Sequence, residues 1–294
     1  MPNRREGLAI FILVLFVIFG FSVWSSYKYE QKAYEAKQAA LAQTLSNVKT
    51  DIDNLDLKAK SISVYDFRLN QKLYGRNDTA VMPLASLAKL VSVPLAVRMN
   101  NDLVKISPEA IKAPQDDKLI PGDSWTKQNL AKFALVVSSN DATTALTEKI
   151  PNFVDQMNAR ARYLWARDTT FYNQTGLDID ATHPGAVGTA EDMNWLAYFA
   201  LHMYPEVIKA TTYPRLLVDS ESGYTYDVLN TNTAIQELPP LLLSKTGYTN
   251  LAQGNLVIIF KNRKGHEIAV TVLGSTYEDR FTDMVKIADV LYNY

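Results

Sequence analysis

The 294-residue sequence contains no cysteine, which excludes disulfides, thiolate metal sites, a cysteine nucleophile and a lipid-modified cysteine. It has few histidines, and His183, His202 and His266 share no metal-ligand spacing such as H-E-x-x-H, whereas a zinc site needs several clustered ligands. Neither sign of charge dominates, because 30 basic residues balance 31 acidic ones without a long basic stretch. We therefore expect no metal, no other cofactor and no nucleic-acid partner.

One long run without charge is present near the N-terminus, LAIFILVLFVIFGFSVW over residues 8–24. As a helix these residues extend roughly 25 Å, the short end of what crosses a bilayer. Arg4 and Arg5 precede the run. Such arginines remain in the cytoplasm, so residues 1–7 are predicted to be a cytoplasmic tail and the body to lie outside. A cleaved signal peptide is the alternative, although Trp24 and the length of the run favour a transmembrane signal-anchor.

Residues 25–57 are predicted to form a helical stalk between the membrane segment and the body. The part up to about residue 50 is polar, rich in alanine and free of glycine and proline, which favours a helix. Apolar residues in alternating steps of four and three form a heptad seam that is shorter than a coiled coil normally requires. The seam predicts either a helix that packs on the body or a short dimer zipper, and it consists of Leu41, Leu45, Val48, Ile52 and Leu55.

Residues 58–294 are predicted to form one α+β domain. Alternating apolar residues indicate strands after Ser61 and again near the C-terminus, with helices between and after them. Strands at both ends of the body favour one sheet assembled from distant segments. The predicted elements are further strands at residues 71–74, 241–245, 255–260 and 267–273, a hairpin turn at 262–265, and helices at 84–99 (kinked at Pro94), 127–137 and 279–292.

Three short motifs occur in order along this domain: Ser86-Leu87-Ala88-Lys89, Ser138-Ser139-Asn140 and Lys245-Thr246-Gly247. Each is weak alone, because S-x-x-K also occurs at residues 46–49 and 124–127. The first of these extra matches lies inside the stalk, and the second begins where an N-cap before a helix is expected. Ser86 instead follows a proline and opens an apolar helix, so that it shares a helix face with Lys89.

The residue types of these motifs suit acyl transfer. A serine hydroxyl is a poor nucleophile until a base removes its proton. A lysine can be that base only when it is neutral, which burial or a second cation favours. Lys89 is placed to be the base for Ser86, and Lys245 supplies the second cation. Ser138 can relay a proton to the leaving amine, and the Asn140 amide can hold the peptide carbonyl of a substrate.

The third motif suits a substrate with an anionic end. Lys245 and Thr246 can bind a terminal carboxylate through charge-assisted hydrogen bonds. Gly247 has no side chain, so a ligand can lie along the strand edge. The backbone N–H of Tyr248 can pair with that of Ser86 as an oxyanion hole. The sequence thus predicts catalytic residues Ser86, Lys89, Ser138 and Asn140 and substrate-binding residues Lys245, Thr246, Gly247 and Tyr248.

The sequence resembles the serine D-alanyl-D-alanine carboxypeptidases, the low-molecular-mass penicillin-binding proteins of the DD-peptidase and β-lactamase-like superfamily. The likeness extends from about Ser61 to the C-terminus and goes beyond the three motifs. The stretches that carry it are PLASLAKL (83–90), PGDSWT (121–126), SSNDA (138–142), FYNQTGLD (171–178), TAEDM (189–193) and SKTGYT (244–249).

The resemblance implies a mostly antiparallel sheet flanked by helices, with a helical cluster and a cleft between the two. It implies that Ser86 is acylated with Lys89 as base, and that Ser138 and Asn140 lie on a loop across the cleft from Lys245. The implied reaction removes the terminal D-alanine from peptidoglycan stem peptides that end in D-Ala-D-Ala. β-Lactams are then expected as covalent inhibitors, and the protein is expected in a bacterial cell membrane as a single-pass protein with its catalytic domain on the cell-wall side.

Other functions stay open. A DD-endopeptidase or a transpeptidase uses the same residues. A β-lactamase needs a glutamate to activate water, and Glu191 lacks the expected spacing to an asparagine. A Ser-His-Asp hydrolase is disfavoured because G-x-S-x-G is absent. A catalytically idle wall-binding protein is disfavoured because every expected catalytic side chain is present.

The sequence also departs from the family pattern. Many relatives carry a further small β domain and a C-terminal anchor, whereas this chain ends soon after its last predicted helix and its apolar run is N-terminal. Trp165 stands where a glycine is common, and the stretch around His183-Pro184-Gly185 differs. These departures leave the substrate preference open.

Overall fold

The computed structural model describes residues 4–98, 103–112 and 119–294. Residues 1–3 of the predicted cytoplasmic tail, and Met99 at the end of a predicted helix, lie outside the described residues. The chain divides into two compact units, residues 1–47 and 48–294.

The first unit is helical. Helix α1 (Arg4–Asp53) covers the predicted membrane segment and most of the predicted stalk. By length and composition, its apolar part is sufficient to cross a membrane. The last turns of α1 belong to the second unit, in which Val48 and Ile52 are buried. These two residues of the heptad seam therefore pack within the body, as one of the two alternatives predicts.

The second unit has the predicted α+β composition. In the described residues, its strands are β1 (Ser61–Asp66), β2 (Gln71–Arg76), β3 (Met82–Pro83), β4 (Val104–Lys105), β5 (Ser124–Trp125), β6 (Thr170–Phe171), β7 (Ala186–Gly188), β8 (Arg215–Asp219), β9 (Thr225–Leu229), β10 (Leu241–Thr249), β11 (Gln253–Lys261) and β12 (Glu267–Ser275). The helices after α1 are α2 (Lys89–Arg98), α3 (Lys127–Val136), α4 (Asn140–Thr147), α5 (Phe153–Tyr163), α6 (Ala190–Met203), α7 (Pro205–Ile208) and α8 (Asp279–Tyr292).

A five-stranded antiparallel sheet forms the centre of this unit, in the order β10-β11-β12-β1-β2. Strand β1 pairs with β12, with Ser61 opposite Leu273, so the sheet joins both ends of the body as the sequence predicts. Strands β11 and β12 are buried along most of their length, because helices α6 and α8 pack on them. Strand β10 lies at the edge of the sheet among the described strands, which leaves one of its sides available to a ligand.

The helices share one apolar core with the sheet. The rings of Trp125, Phe133 and Tyr226 pack together, with centroids 4.8 Å to 5.6 Å apart. The same buried cluster reaches Leu243 on β10 and Val257 on β11. Continuous close packing of this kind fixes the helices against the sheet, so the segments that carry the first two motifs are held beside the strand that carries the third.

The helix predicted from Leu84 differs from the observed backbone. A 3₁₀ turn occupies Ala85–Ala88, and the α-helix begins only at Lys89. The cause is the backbone of Ala85, whose φ of 49° lies in the left-handed region and interrupts a helix. Ser86 therefore lies on a short turn before α2 instead of in its first turn.

The N-cap predicted at Ser124 is also wrong. Ser124 lies in β5, opposite Lys105 of β4. The N-cap of α3 is Thr126, whose hydroxyl accepts a hydrogen bond from the Asn129 N–H. Both residue types are good caps, and the pairing of β4 with β5 decides between them.

Candidate active site

The three sequence motifs meet at one cleft of about 350 Å³. The first motif contributes Ser86, the second Ser138, and the third Thr246 and Gly247. No aspartate or glutamate is among the described residues that line the cleft, so its charge is positive. The lining residues are Ser86, Val137, Ser138, Leu177, Asn230, Thr231, Thr233, Thr246, Gly247, Tyr248, Tyr277 and Arg280.

The turn that carries Ser86 is tightly enclosed. In a 3₁₀ turn, side chains three residues apart eclipse each other, which brings Lys89 over Ser86. A Cβ on Gly176 would lie 1.9 Å from the carbonyl oxygen of Ala85, and one on Gly247 would lie 2.9 Å from that of Leu84. Glycine at these two positions lets the backbone of the turn approach both neighbouring segments.

Lys89 is fully buried beneath Ser86. Its Nζ lies 2.8 Å from Ser86 Oγ, and it donates to Asn140 Oδ1 at 2.7 Å and to the Thr175 carbonyl oxygen at 3.1 Å. The last two partners only accept hydrogen bonds. The 2.8 Å contact lets a protonated Lys89 donate to Ser86 Oγ; in its neutral form the amine has two hydrogens and one lone pair, and when these acceptors take the hydrogens the lone pair is left for the serine hydroxyl. The geometry therefore suits a lysine that removes the Ser86 proton.

The three side chains of the Ser138-Ser139-Asn140 motif make different contacts. Ser139 is the N-cap of α4 and accepts from the Ala142 N–H at 2.8 Å. Asn140 begins the helix and is bound to Lys89. Ser138 has a φ of 60° and lines the cleft, and a left-handed backbone is uncommon in a residue other than glycine. The motif thus fixes the base with one residue and presents a hydroxyl with another.

Lys245 lies behind this hydroxyl. It is 2% exposed, and its Nζ donates to Ser138 Oγ and to the Thr246 carbonyl oxygen, both at 2.8 Å. Burial holds the pKa of Lys245 well below its usual value, and the positive charge that Lys89 carries when it is protonated, together with that of Arg280, lowers that pKa further. The cleft surface at this strand is formed by Thr246, so direct contact between Lys245 and a carboxylate stays a prediction.

The open side of β10 supplies backbone donors. The Ser244 N–H donates to Thr211 Oγ1 at 3.1 Å instead of to β11. In an antiparallel strand, residues two and four positions further on direct their N–H groups to the same side. The N–H of Tyr248 therefore points to the unpaired edge, where the sequence predicts one half of an oxyanion hole.

Arg280 is a site residue that the sequence reasoning missed. It lines the cleft at 3% exposure, its Nη1 donates to the Gly247 carbonyl oxygen at 2.9 Å, and its Nε has no hydrogen-bond partner among the described residues. The rings of Tyr277 and Phe281 hold the guanidinium at 4.4 Å and 4.6 Å. The sequence did contain a signal for Arg280. It lies four residues before Met284, so it falls on the apolar side of the helix predicted at residues 279–292, where a charged residue is unexpected.

Two other groups lie away from this chemistry. Glu191, the glutamate considered for a β-lactamase, binds Lys72 on β2 at 2.9 Å and does not line the cleft. Within the described part of the chain, no cluster of three or more His, Asp or Glu residues is arranged to hold a metal ion.

Comparison with known proteins gives a family and a fold. A family model described as D-alanyl-D-alanine carboxypeptidase matches residues 47–276. The chain is 28% identical over 249 residues to the D-alanyl-D-alanine carboxypeptidase DacF of Bacillus subtilis, and the alignment covers 80% of the chain and 62% of DacF. It is 29% identical over 214 residues to a D-alanyl-D-alanine endopeptidase of Pseudomonas aeruginosa, covering 69% of the chain and 67% of that protein. The chain thus spans less than two thirds of the length of DacF.

A solved structure has the same architecture. Penicillin-Binding Protein D2 from Listeria monocytogenes, in its ampicillin-bound form, superimposes with a TM-score of 0.67 at 28% identity, covering 81% of this chain and 98% of that one. The predicted fold, an antiparallel sheet flanked by helices with a helical cluster, is therefore confirmed.

Proposed function

Because the chain belongs to the D-alanyl-D-alanine carboxypeptidase family, we propose that it is a serine-type carboxypeptidase that removes the terminal D-alanine of peptidoglycan stem peptides. The observation that carries the proposal is the 2.8 Å contact between Ser86 Oγ and the buried Lys89 Nζ beside a cleft whose described lining residues include no aspartate or glutamate. A serine with an adjacent buried amine is equipped for acyl transfer, and a positive cleft favours a peptide that ends in a carboxylate.

Acylation begins with Ser86 Oγ, which attacks the carbonyl carbon of the penultimate D-alanine while Lys89 takes the hydroxyl proton. The backbone N–H groups of Ser86 and Tyr248 stabilise the oxyanion. The C–N bond then breaks. Ser138 gives a proton to the leaving nitrogen and regains one from Lys245, to which it is hydrogen-bonded. Acylation thus leaves Lys89 protonated and Lys245 neutral.

Deacylation reverses both proton movements. Water attacks the acyl carbon and passes its proton through Ser138 to Lys245. Lys89 returns its proton to Ser86 Oγ as the ester bond breaks, and the enzyme regains its first state. The two lysines therefore exchange roles without a net change in the protons they carry, which is the reason for having two amines within one site.

Arg280 and Thr246 receive the terminal carboxylate of the substrate. The guanidinium of Arg280 has donors left over after its bond to the Gly247 carbonyl, and a carboxylate is the acceptor that such a fork suits best. Lys245 adds positive charge from behind Ser138. Penicillin-Binding Protein D2 was crystallised with ampicillin, and we expect β-lactams to acylate Ser86 of this chain in the same way as the peptide does.

The test is to replace Ser86 with alanine. The purified wild type should release D-alanine from a stem pentapeptide and become labelled by a fluorescent penicillin, and Ser86→Ala should do neither. Two serines in chance S-x-x-K matches provide matched controls, Ser46→Ala and Ser124→Ala, which should keep both activities. Label that remains on Ser86→Ala, located by mass spectrometry of the adduct, would disprove the nucleophile.

A DD-endopeptidase is the second candidate, favoured by the similarity to the Pseudomonas aeruginosa enzyme along 67% of its length. An endopeptidase cleaves a bond within the cross-link between two stem peptides, whereas a carboxypeptidase cleaves the terminal bond of a free stem peptide. Digestion of purified peptidoglycan fragments separates the two activities, because a carboxypeptidase shortens pentapeptide monomers whereas an endopeptidase converts cross-linked dimers into monomers.

The catalytic domain acts on the cell-wall side of a bacterial membrane, with residues 8–24 as its single membrane span. The apolar part of α1 supports this location, as do the arginines that precede it. Because the chain has no cysteine, labelling of a single introduced cysteine shows on which side of the membrane that residue lies. An impermeant maleimide should label Lys264→Cys on intact spheroplasts and should label Asn3→Cys only after lysis. The reverse pattern would contradict the orientation, and an intact mass that lacks the N-terminus would indicate a cleaved signal.

A further inference from the structure

The loop after β9 places a second hydroxyl against the third motif. Thr231 Oγ1 lies 2.6 Å from Thr246 Oγ1, and both residues line the cleft. We propose that Thr231 is a positioning residue that directs the Thr246 hydroxyl at the carboxylate of the substrate. The inference rests on the proposed function and assigns the chain a residue by which it selects substrates with an anionic end.

The backbone around Thr231 is fixed on both sides. The Asn230 side chain donates to two backbone carbonyl oxygens at 2.9 Å and 3.0 Å. The Asn232 side chain donates to Ser244 Oγ on β10 at 2.8 Å. Between them, the Thr231 N–H donates to the Val136 carbonyl oxygen at 3.1 Å. A side chain held by three such anchors stays in place when the cleft is empty, which is the condition for preorganisation.

The hydrogen-bond inventory favours one direction for the contact. A hydroxyl has one hydrogen to donate. The other acceptor near Thr231 Oγ1 is the Val136 carbonyl oxygen at 3.4 Å, which is too far for a good O–H···O bond. Either hydroxyl can be the donor in this contact, and the proposal assigns it to Thr231, so that Thr246 keeps its own hydrogen for the cleft. Hydrogen bonds in series also polarise one another, which makes Thr246 a stronger donor.

This arrangement matters only when the substrate carries a carboxylate. Lys245 is buried behind Ser138, so the Thr246 hydroxyl is a side-chain donor that β10 presents to an anion at the cleft, beside its backbone N–H groups. Without Thr231, the hydroxyl of Thr246 can rotate and donate to another acceptor. Attack by Ser86 does not use this hydroxyl, so the reaction of a neutral substrate is independent of Thr231.

The experiment uses two N-acyl-D-alanyl thioesters, one with thioglycolate and one with ethanethiol as leaving group. They differ in the carboxylate and react at the same carbonyl. Thr231→Val removes the hydroxyl and keeps the branched shape, whereas Thr231→Ser keeps the hydroxyl. The full-length chain contains no cysteine, so a thiol reagent follows the released thiol without background from the protein.

We expect Thr231→Val to lower kcat/KM for the thioglycolate ester by about tenfold, the usual order for losing an oriented hydrogen bond to a charge, mainly through KM. For the ethanethiol ester, kcat/KM should change by less than about twofold. Thr231→Ser should restore the wild-type ratio of the two kcat/KM values. Equal loss on both esters, or no loss on either, would overturn the inference while leaving the proposed function intact. A wild type that hydrolyses neither ester would instead contradict the proposed function. If Thr231→Val fails to fold, Thr231→Ala gives the same comparison.

Discussion

Replacing Arg280 with glutamine tests how the cleft recognises an anionic substrate. The change removes the positive charge and the guanidinium fork, and it keeps one amide group that can donate towards the Gly247 carbonyl oxygen, the present acceptor of Nη1 at 2.9 Å. The rings of Tyr277 and Phe281 on either side remain. The substitution is therefore directed at the substrate more than at the fold.

The expected magnitude follows from burial. Arg280 is 3% exposed, so a hydrogen bond from it to a carboxylate is weakly screened, and hydrogen bonds to charged groups are worth about 1.5–3 kcal/mol. At 1.36 kcal/mol for each factor of ten, this corresponds to a loss of about 10- to 150-fold. We expect Arg280→Gln to lower kcat/KM for the thioglycolate ester within that range. For the ethanethiol ester, kcat/KM should change by less than about threefold.

The assay measures both thioesters in the wild type, Arg280→Gln and Arg280→Lys, with thermal unfolding of each variant as a control. The lysine keeps the charge without the fork, so it should retain part of the preference for the carboxylate ester. A uniform loss on both esters would mean that Arg280 supports β10 through Gly247 instead of binding the substrate. An unchanged kcat/KM for the thioglycolate ester would show that Arg280 does not bind the substrate.

Two further predictions concern Lys245 and Gly176. Burial and neighbouring cations lower the pKa of Lys245, so Lys245 loses its proton at lower pH than an ordinary lysine. Lys245→Arg stays protonated and should therefore move the alkaline limb of the penicillin acylation rate to higher pH. If the limb does not move, it belongs to another group. Gly176→Ala brings a Cβ to 1.9 Å from the Ala85 carbonyl oxygen at a φ of 79°. The free energy of unfolding should fall by about 3 kcal/mol or more, whereas Gly223→Ala, at a φ of 88° with nothing nearby, should lose only about 1–2 kcal/mol. Similar losses in urea denaturation would mean that the turn relaxes around the new methyl group.

The parts of the site that the sequence predicts are those that depend on residue type and order. Ser86 and Lys89 are three residues apart, so any helical turn brings them together, whether α or 3₁₀. Lys245-Thr246-Gly247 follows the apolar run of residues 241–243, which predicts a strand ending near Lys245, and β10 continues through the motif to Thr249. The fold class was predictable for the same reason, since strands at both ends of a body pair in one sheet.

Contacts made by the backbone or across distant segments were not predictable in this way. Every residue has a carbonyl group, so nothing in the sequence distinguishes that of Thr175 as a partner of Lys89. Arg280 reaches Gly247 only because α8 packs on β11 and β12, and Thr231 reaches Thr246 through a loop. The left-handed backbone of Trp165 (φ 63°) supplies a physical reason for the expectation, drawn from the resemblance, of a glycine at this position.

The gathering of cations explains how substrate binding and proton transfer are coupled. Lys89, Lys245 and Arg280 lie around one cleft, and the charge of Arg280, with that of Lys89 when it is protonated, lowers the pKa of Lys245. A carboxylate bound by Arg280 offsets that repulsion, so it must raise the pKa of Lys245 and keep its proton available for the leaving nitrogen. By the reciprocity of linked equilibria, protonated Lys245 must also bind the carboxylate more tightly. We therefore expect the alkaline limb of kcat to lie at higher pH than that of kcat/KM for a stem pentapeptide with a free carboxylate, and the two limbs to coincide for the same peptide with a C-terminal amide. Coincident limbs for both peptides would show that the substrate's charge does not reach Lys245.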